Sequence, residues 1–212
     1  MNVSIPNTNN LILYVVDDDE AVRKGLVYLL ASRSYQVQLF ESGEAFLASA
    51  DLERCGCVIL DLRMVGISGL QVFDALRQRN SPLVVLFLSG HGDIGMAVEA
   101  TKKGAFGWLV KPCDDVTLLD HVAQALQAAA EVAARLPLTR AAQARWQTLT
   151  PKEKEVASLV REGPHNKDIA LALQSAVRTV EAHRAKVYAK LDVSNPTELD
   201  RFMRDHHLGT AE

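Results

Sequence analysis

The chain has 212 residues, 48% hydrophobic and 23% charged, which is the composition of a globular protein and not of a disordered one. No run approaches the roughly 18 apolar residues of a membrane-spanning helix, and we expect no membrane association. The net charge of −3 conceals an asymmetry, because residues 1–117 carry 14 acidic and 10 basic side chains, whereas residues 165–190 carry five basic and two acidic ones. This difference predicts two domains with different partners.

The cysteines and the N-terminus indicate a reducing compartment. Three cysteines form neither a disulfide framework nor a zinc-binding spacing, and we interpret them as packing residues. The first ten residues, MNVSIPNTNN, lack the basic and apolar regions of a secretory signal. We therefore expect a cytoplasmic protein.

From residue 11 to about residue 134, apolar segments typical of strands alternate with amphipathic segments typical of helices. The predicted strands are LILYVV (11–16), QVQLF (36–40), CVILD (57–61), LVVLFLS (83–89) and FGWLV (106–110). A helical segment follows each strand, and the last of them begins near Asp115. This alternation predicts an α/β fold in which a parallel sheet is covered by helices on both faces.

The character of the strands predicts their order. The runs around residues 58 and 85 are the most uniformly apolar, so we place them at the centre of the sheet, whereas QVQLF alternates polar and apolar as an edge strand does. With short right-handed crossovers, these features favour a doubly wound five-stranded sheet of order 2-1-3-4-5. Ligands bind such sheets beyond the carboxyl ends of the strands where the winding reverses, here between strands 1 and 3.

Acidic residues stand at both of those strand ends. Asp17 and Asp18 follow strand 1 and Asp61 ends strand 3, so three carboxylates from distant parts of the sequence are expected to converge. Carboxylate oxygens are ligands that Mg²⁺ prefers. Enrichment of acids at a helix N-terminus explains Asp19 and Glu20, but it does not explain Asp61. The sequence therefore predicts a magnesium site.

Two further strand ends add a hydroxyl and an ammonium group. Strand 4 ends in Ser89, and strand 5 leads to Lys111 before a proline closes it. Three acids, a hydroxyl and a lysine around one metal are what an aspartyl phosphate requires, because cations neutralise the phosphoryl oxygens while one carboxylate acts as nucleophile. Asp61 is the best candidate for that nucleophile, because it stands apart from the adjacent pair of acids.

Residues 131–148 are predicted to be a helical linker, since the segment lacks Gly and Ser, although Pro137 is expected to interrupt the helix. Four helical segments follow: TPKEKEVASLVREG (150–163), NKDIALAL (166–173), VRTVEAHRAKVYAKL (177–191) and NPTELDRFM (195–203). Thr150 and Glu153 form a predicted capping box. The third segment has a predicted buried stripe of Val177, Val180, Val187 or Tyr188, and Leu191. Its basic outer face is typical of helix-turn-helix DNA binding, although a small helical bundle with a solvated face is the alternative.

The motifs VVDDD, VILDLRM, SGLQ, LSGHGD and KPC, in this order, resemble the receiver domain of bacterial two-component response regulators. The resemblance covers residues 10 to about 130. It implies that Asp17 and Asp18 are the metal-binding pair and that Asp61 is the phosphoacceptor. It also implies that Arg63 lends its backbone carbonyl to the metal.

The same resemblance assigns three residues to the response to phosphorylation. Ser89 corresponds to the hydroxyl that follows the phosphoryl group, Lys111 to its salt-bridge partner and Trp108 to the aromatic switch position. Val65 departs from the pattern, because receivers usually carry proline there. The loop after Asp61 thereby loses a fixed φ and is expected to be looser.

The segments LTPKEKEVASLVREG, NKDIALAL and RTVEAHRAKVYAKLDV resemble the LuxR-type effector domain across residues 149–205. Both halves together resemble the FixJ/NarL-like response regulators, in which the helix at 177–190 lies in the DNA major groove. Residues implied to face base edges are Glu181, Ala182 and Ala185. Residues implied to hold mainly phosphates are Lys167, Arg178, Thr179, Arg184 and Lys186. Gln174, Ser175 and Ala176 replace the usual glycine, aliphatic residue and capping serine, so this helix lacks a cap worth about 1 kcal/mol.

We therefore predict a phosphorylation-controlled transcription regulator and not an enzyme. A sensor histidine kinase would phosphorylate Asp61, and the face of helix 4, strand 5 and helix 5 would then form a homodimer on double-stranded promoter DNA. RNA polymerase is a further partner left open. The predicted organisation is a receiver at 1–130, the linker at 131–148 and a helix-turn-helix domain at 149–212.

Two other functions stay open on the sequence. A magnesium-dependent phosphohydrolase on the same sheet commonly carries D-x-D at its nucleophile, and Asp61-Leu62-Arg63 lacks the second acid. A phosphorylation-dependent adapter would instead use the C-terminal helices to bind protein. Salt dependence separates the adapter from a DNA-binding protein, because DNA binding weakens steeply as salt rises.

Overall fold

The computed structural model of the protein describes residues 11–90, 94–161, 165–206 and 208–209. The chain divides into two compact units, with the boundary between Ala134 and Arg135. In the described ranges, no helix combines the length and the apolar character that crossing a membrane requires.

The N-terminal unit is built on a parallel sheet of five strands in the order β2-β1-β3-β4-β5, which confirms the predicted topology. The strands are β1 Ile12–Val16, β2 Val37–Phe40, β3 Gly56–Leu60, β4 Leu83–Ser89 and β5 Gly107–Val110. The strands β1, β3 and β4 lie in the middle, and nearly every one of their residues is buried. In β2 every residue is partly or fully exposed, as expected of an edge strand.

Helices pack on both faces of this sheet. They are α1 Glu20–Ala31, α2 Gly43–Ser49, α3 Gly69–Gln78, α4 Ile94–Lys102 and α5 Asp115–Gln147. Because successive side chains of a strand point to opposite faces, each strand contributes to two apolar clusters. Tyr14 and Phe87 pack in the cluster that contains Phe46 of α2, whereas Leu13 and Cys57 pack in the one that contains α1 and α5 residues. Full burial of Cys57 as a free thiol agrees with its interpretation as a packing residue.

The helix α5 continues through Pro137, so the predicted interruption at that residue is wrong. Proline lacks an N–H and its ring crowds the carbonyl one turn earlier, so it removes one helical hydrogen bond, yet the helix continues on both sides of it. The flanking sequences AARL and LTRAAQAR are rich in good helix formers, which favours continuation on both sides.

The C-terminal unit contains four helices beyond α5 in its described residues: α6 Pro151–Arg161, α7 Asn166–Ala172, α8 Val177–Leu191 and α9 Pro196–Asp205. Val180, Val187 and Leu191 of α8 are buried in their common core, as predicted. The prediction for Val177 is wrong, since this residue is 36% exposed. Val177 is the first residue of α8 and lies outside the core cluster, so the buried stripe begins one turn later.

Glu153 is a buried carboxylate that joins two helices of this unit. Its Oε2 accepts hydrogen bonds from Thr150 N at 2.8 Å and from Lys190 Nζ of α8 at 2.6 Å. Thr150 Oγ1 accepts a bond from Glu153 N at 3.3 Å, which completes the predicted capping box. The hydrogen bond from Lys190, followed by that from Thr150 N, holds the pKa of Glu153 below its usual value.

Replacing Glu153 by Gln should lower the free energy of unfolding of the C-terminal unit by about 1 kcal/mol at pH 7, because a charged acceptor is lost. Since the pKa of Glu153 is lower in the folded than in the unfolded chain, its stabilisation is complete above the unfolded pKa. The stabilisation disappears as pH falls through the folded pKa. Urea titrations followed by Trp146 fluorescence measure this in a Trp108→Phe background, which leaves a single tryptophan.

The matched control is Glu155→Gln. Glu155 belongs to the same helix, but it is half exposed and pairs with Lys152 on the surface at 2.9 Å. Its replacement should change the free energy of unfolding by less than about 0.5 kcal/mol. A loss in Glu153→Gln that is as large at pH 3 as at pH 7 would contradict the ionic origin of the stabilisation.

Candidate functional site

The carboxyl edge of the sheet gathers three acidic side chains from distant parts of the chain. Asp17 and Asp61 directly follow β1 and β3 and are only 2% and 7% exposed, whereas Asp18 is exposed. One carboxylate oxygen from each residue can be chosen so that all three lie within 4.8 Å of one another. The structure therefore brings together the acids that the sequence predicted to converge.

The strand register explains this convergence. Val16 of β1 is paired with Leu60 of β3, so the next residue of each strand emerges at the same edge. Asp61 N donates a hydrogen bond to Val16 O at 2.9 Å, and this bond extends the ladder by one residue. Asp19 plays a different role, because its Oδ1 caps α1 by accepting a bond from Ala21 N at 2.8 Å. The acidic run thus divides into site residues and helix-start residues.

Lys111 forms salt bridges with both buried acids. Its Nζ lies 2.5 Å from Asp17 Oδ2 and 3.1 Å from Asp61 Oδ1. Burial raises the pKa of the Asp61 carboxyl, and the adjacent Lys111 opposes that rise. Burial by itself lowers the pKa of Lys111, but bonding to Asp17 and Asp61 outweighs burial and leaves it above its usual value. The lysine therefore stays cationic and offsets the cost of burying two carboxylates.

Ser89 and Trp108 lie on the neighbouring strands. Ser89 is buried at the end of β4, and its carbonyl accepts a hydrogen bond from Lys111 N at 2.7 Å. Trp108 of β5 is half-buried with its ring centroid 5.1 Å from that of Phe87. The Trp108 Nε1–H is buried and has no hydrogen-bond partner among the described residues. The backbones of the serine and the lysine are thus joined by strand pairing, whereas the indole N–H has no acceptor in the described part of the chain.

The loop after Asp61 is tied by two backbone amides to acidic side chains. That it is looser than a loop with proline at position 65 stays a prediction. Val65 N donates a hydrogen bond to Asp18 Oδ2 at 3.0 Å, and Ile67 N donates one to Glu44 Oε1 at 2.9 Å. Arg63 N also donates to Asp61 Oδ2 at 3.2 Å. The Val65 amide and Glu44 are site features that the sequence analysis missed. The one available indication was the absence of proline at position 65, which leaves an N–H in place.

The donor set at this edge fits a divalent cation. All candidate side-chain ligands are carboxylate oxygens, which match the hard-oxygen preference of Mg²⁺. The site combines three acids with a single lysine within bonding distance of two of them, so the local charge balance favours one further cation. The acidic pocket is therefore compatible with Mg²⁺.

The surface of α7 and α8 carries the residues implied to contact DNA. Seven of these eight residues are exposed: Lys167, Arg178, Thr179, Glu181, Ala182, Ala185 and Lys186. Arg184 is different, because it is half-buried and its Nη1 donates to Asn166 Oδ1 while its Nη2 donates to Tyr188 OH at 2.9 Å. Its guanidinium also lies 5.6 Å from the Tyr188 ring centroid. Arg184 thus supports the packing of α7 on α8.

The turn between these helices shows the effects of its unusual residues. Gln174 adopts a left-handed conformation with φ of 47°, which a glycine would adopt without strain. Ala176 occupies the N-cap of α8 and provides no side-chain hydrogen bond, as the sequence predicted.

Comparison with known proteins assigns both units. Residues 13–123 match the response regulator receiver domain, and residues 147–203 match the bacterial regulatory proteins of the luxR family. The chain belongs to the FixJ/LuxR-type response regulators. These are two-component transcription regulators that bind DNA and are not enzymes, so the predicted function class is confirmed. A receiver domain implies a histidine kinase partner, and a luxR-family domain implies DNA binding.

Relatives of this response regulator match it over almost its whole length. The tetrathionate response regulatory protein TtrR of Salmonella typhimurium is 46% identical over 189 residues, which cover 89% of this chain and 90% of TtrR. FixJ of Rhizobium meliloti is 37% identical over 189 residues, covering 89% and 93%. The solved structure of the response regulator StyR aligns with a TM-score of 0.60 and 35% identity, covering 92% of this chain and 99% of StyR.

Proposed function

We propose that Asp61 is the phosphoacceptor of this response regulator and that Asp17, Asp18, Asp61 and the Arg63 carbonyl hold Mg²⁺. The observation that carries the proposal is the gathering of three carboxylates against Lys111 at the carboxyl edge of the sheet. When bound, the cation supplies charge neutralisation for the phosphoryl oxygens. Asp61 is the acceptor because it is the carboxylate that emerges from the central strand β3, opposite the adjacent pair.

In the proposed reaction, a carboxylate oxygen of Asp61 attacks the phosphorus of a phosphohistidine on the sensor kinase. A P–O bond to Asp61 forms while the P–N bond to the histidine breaks, and the electron pair of that bond returns to the imidazole. Lys111 Nζ, already 3.1 Å from Asp61 Oδ1, stabilises the negative charge on the transferred group. The charge of the Asp61 carboxylate is thus replaced by that of the attached phosphoryl group, next to the ammonium of Lys111.

Ser89 and Trp108 are proposed to transmit this change. The Ser89 hydroxyl would turn towards the phosphoryl oxygens. The Trp108 side chain would then repack into the space that the hydroxyl leaves. The indole N–H of Trp108 supports this proposal, because it is buried without a partner among the described residues and can gain a hydrogen bond in a second position.

A homodimer of the phosphorylated form is proposed on the face of α4, β5 and α5. Each of these three elements carries an exposed apolar residue, namely Val98 of α4, Val110 of β5 and Val116 of α5. Phe106, directly before β5, is also exposed. A two-fold dimer would present two copies of α8 to paired half-sites on promoter DNA. RNA polymerase is the further partner proposed on that promoter, and the cytoplasm is the proposed location.

The proposed division of labour follows the domain limits from the sequence. Residues 1–130 would receive the phosphoryl group, residues 131–148 would connect the domains, and residues 149–212 would bind DNA. On α8, Glu181, Ala182 and Ala185 are proposed to face base edges. Phosphate contacts are proposed for Lys167, Arg178, Thr179, Arg184 and Lys186, and Arg184 would have to leave its contacts with α7 to make one.

Asp61→Asn should abolish labelling of the protein by radioactive acetyl phosphate in the presence of Mg²⁺, because an amide is not a nucleophile for phosphorus. The matched control is Asp19→Asn, which alters an acid two residues from Asp17 and keeps a good helix cap. This control should be labelled like the wild-type protein. Undiminished labelling of Asp61→Asn would exclude Asp61 as the acceptor.

Lys186→Ala should weaken binding of the phosphorylated protein to nonspecific double-stranded DNA. Because Lys186 is proposed to contact phosphate, its loss should reduce the slope of log K against log salt by about one. Mobility shifts at several salt concentrations measure the slope. Lys24→Ala is the control, since Lys24 pairs with Glu20 on the N-terminal unit, and its slope should stay unchanged. Equal slopes in all three proteins would remove Lys186 from the proposed DNA surface.

A further inference from the structure

The loop after Asp61 reaches the acidic cluster through a backbone group. Val65 N donates a hydrogen bond to Asp18 Oδ2 at 3.0 Å. The Val65 side chain is 81% exposed, so this position contributes to the cluster through its backbone and not through its side chain. Proline, the usual residue at this place in receivers, has no N–H and could not form the bond.

A second contact ties the same loop to α2. Ile67 N donates to Glu44 Oε1 of α2 at 2.9 Å, two residues beyond Val65. Between them, Gly66 has a φ of 87°, a conformation that favours glycine. A Cβ at Gly66 would also lie 2.2 Å from Glu44 Oε1. The loop is therefore held between α2 and the acidic cluster.

Asp18 depends on this loop for its orientation. It is the exposed member of the three acids, and the Val65 amide is its hydrogen-bond partner among the described residues. A hydrogen bond to a carboxylate is charge-assisted, so it restricts the rotation of the Asp18 side chain. It occupies one oxygen and leaves the other available. Ordering a ligand before the metal binds removes an entropic cost from binding.

We propose that the Val65 backbone amide is a positioning group that pre-orients Asp18 for a divalent cation. The same bond couples occupation of the site to the loop that follows Asp61. This inference rests on the proposed metal site of Asp17, Asp18 and Asp61. Groups that support metal ligands in this way typically contribute about 10–100-fold to metal affinity.

The test compares Val65→Pro with Val65→Ala in the full chain. Both variants shorten or replace the exposed side chain, but only alanine retains the N–H. A titration with MgCl₂ is monitored by two-dimensional ¹H–¹⁵N NMR spectra. The spectra give the dissociation constant and show whether the fold is intact. Val65→Ala should bind Mg²⁺ like the wild-type protein, and Val65→Pro should bind it about tenfold more weakly.

The outcomes separate the inference from the proposed metal site. Equal or tighter binding of Mg²⁺ by a folded Val65→Pro variant would overturn the role of the amide and leave the metal site standing. Failure of the wild-type protein to bind Mg²⁺ at the three acids would overturn the metal site and the inference together.

Hydrogen exchange of the Val65 amide tests the contact without altering the loop, even if the proline variant does not fold. The amide should exchange about tenfold faster in Asp18→Ala than in the wild-type protein, because its acceptor is gone. Equal exchange rates would show that Asp18 does not hold this amide, and the inference would then fail.

Discussion

The bridge from Lys111 to Asp17 and Asp61 is the interaction on which the site depends. Two nearly buried carboxylates repel each other and lose hydration, and both effects cost free energy. An ammonium within 2.5 Å of one and 3.1 Å of the other offsets both costs while leaving carboxylate oxygens at the edge of the sheet. The geometry follows from topology, because adjacent parallel strands deliver their carboxyl ends to one place. The pocket thus keeps carboxylate oxygens available beside a fixed positive charge.

Much of this arrangement could be predicted from the sequence, because it depends on strand character and strand order. Continuous apolar runs identified the central strands, and the winding of a parallel sheet then placed Asp17 beside Asp61. Capping residues were equally predictable, since Thr150 and Glu153 act within one turn of helix. The capping contacts join residues close in sequence, and the position of the acids follows from the strand order of a parallel sheet.

The features that the sequence did not reveal depend on tertiary contacts. Pro137 was expected to interrupt a helix, but α5 continues through it between flanking helix formers. Val177 matched the apolar spacing of α8 but lies outside the packed core. Arg184 was expected to contact DNA phosphates, but its side chain bonds to Asn166. The absence of proline at position 65 indicates that the Val65 N–H is present, but residue types do not reveal that Asp18 is its acceptor. The pattern of side chains predicts which face of a helix or strand is buried. It does not predict which individual donor and acceptor form a hydrogen bond.

The most direct measurement of the central claim is chemical mapping of the phosphoryl group on the wild-type protein. After incubation with acetyl phosphate and Mg²⁺, borohydride reduction converts a phosphorylated aspartate to homoserine, which peptide mass spectrometry locates in the sequence. The account predicts homoserine at position 61, and at neither Asp17 nor Asp18. Homoserine at either of those positions instead, with Asp61 unchanged, would contradict it.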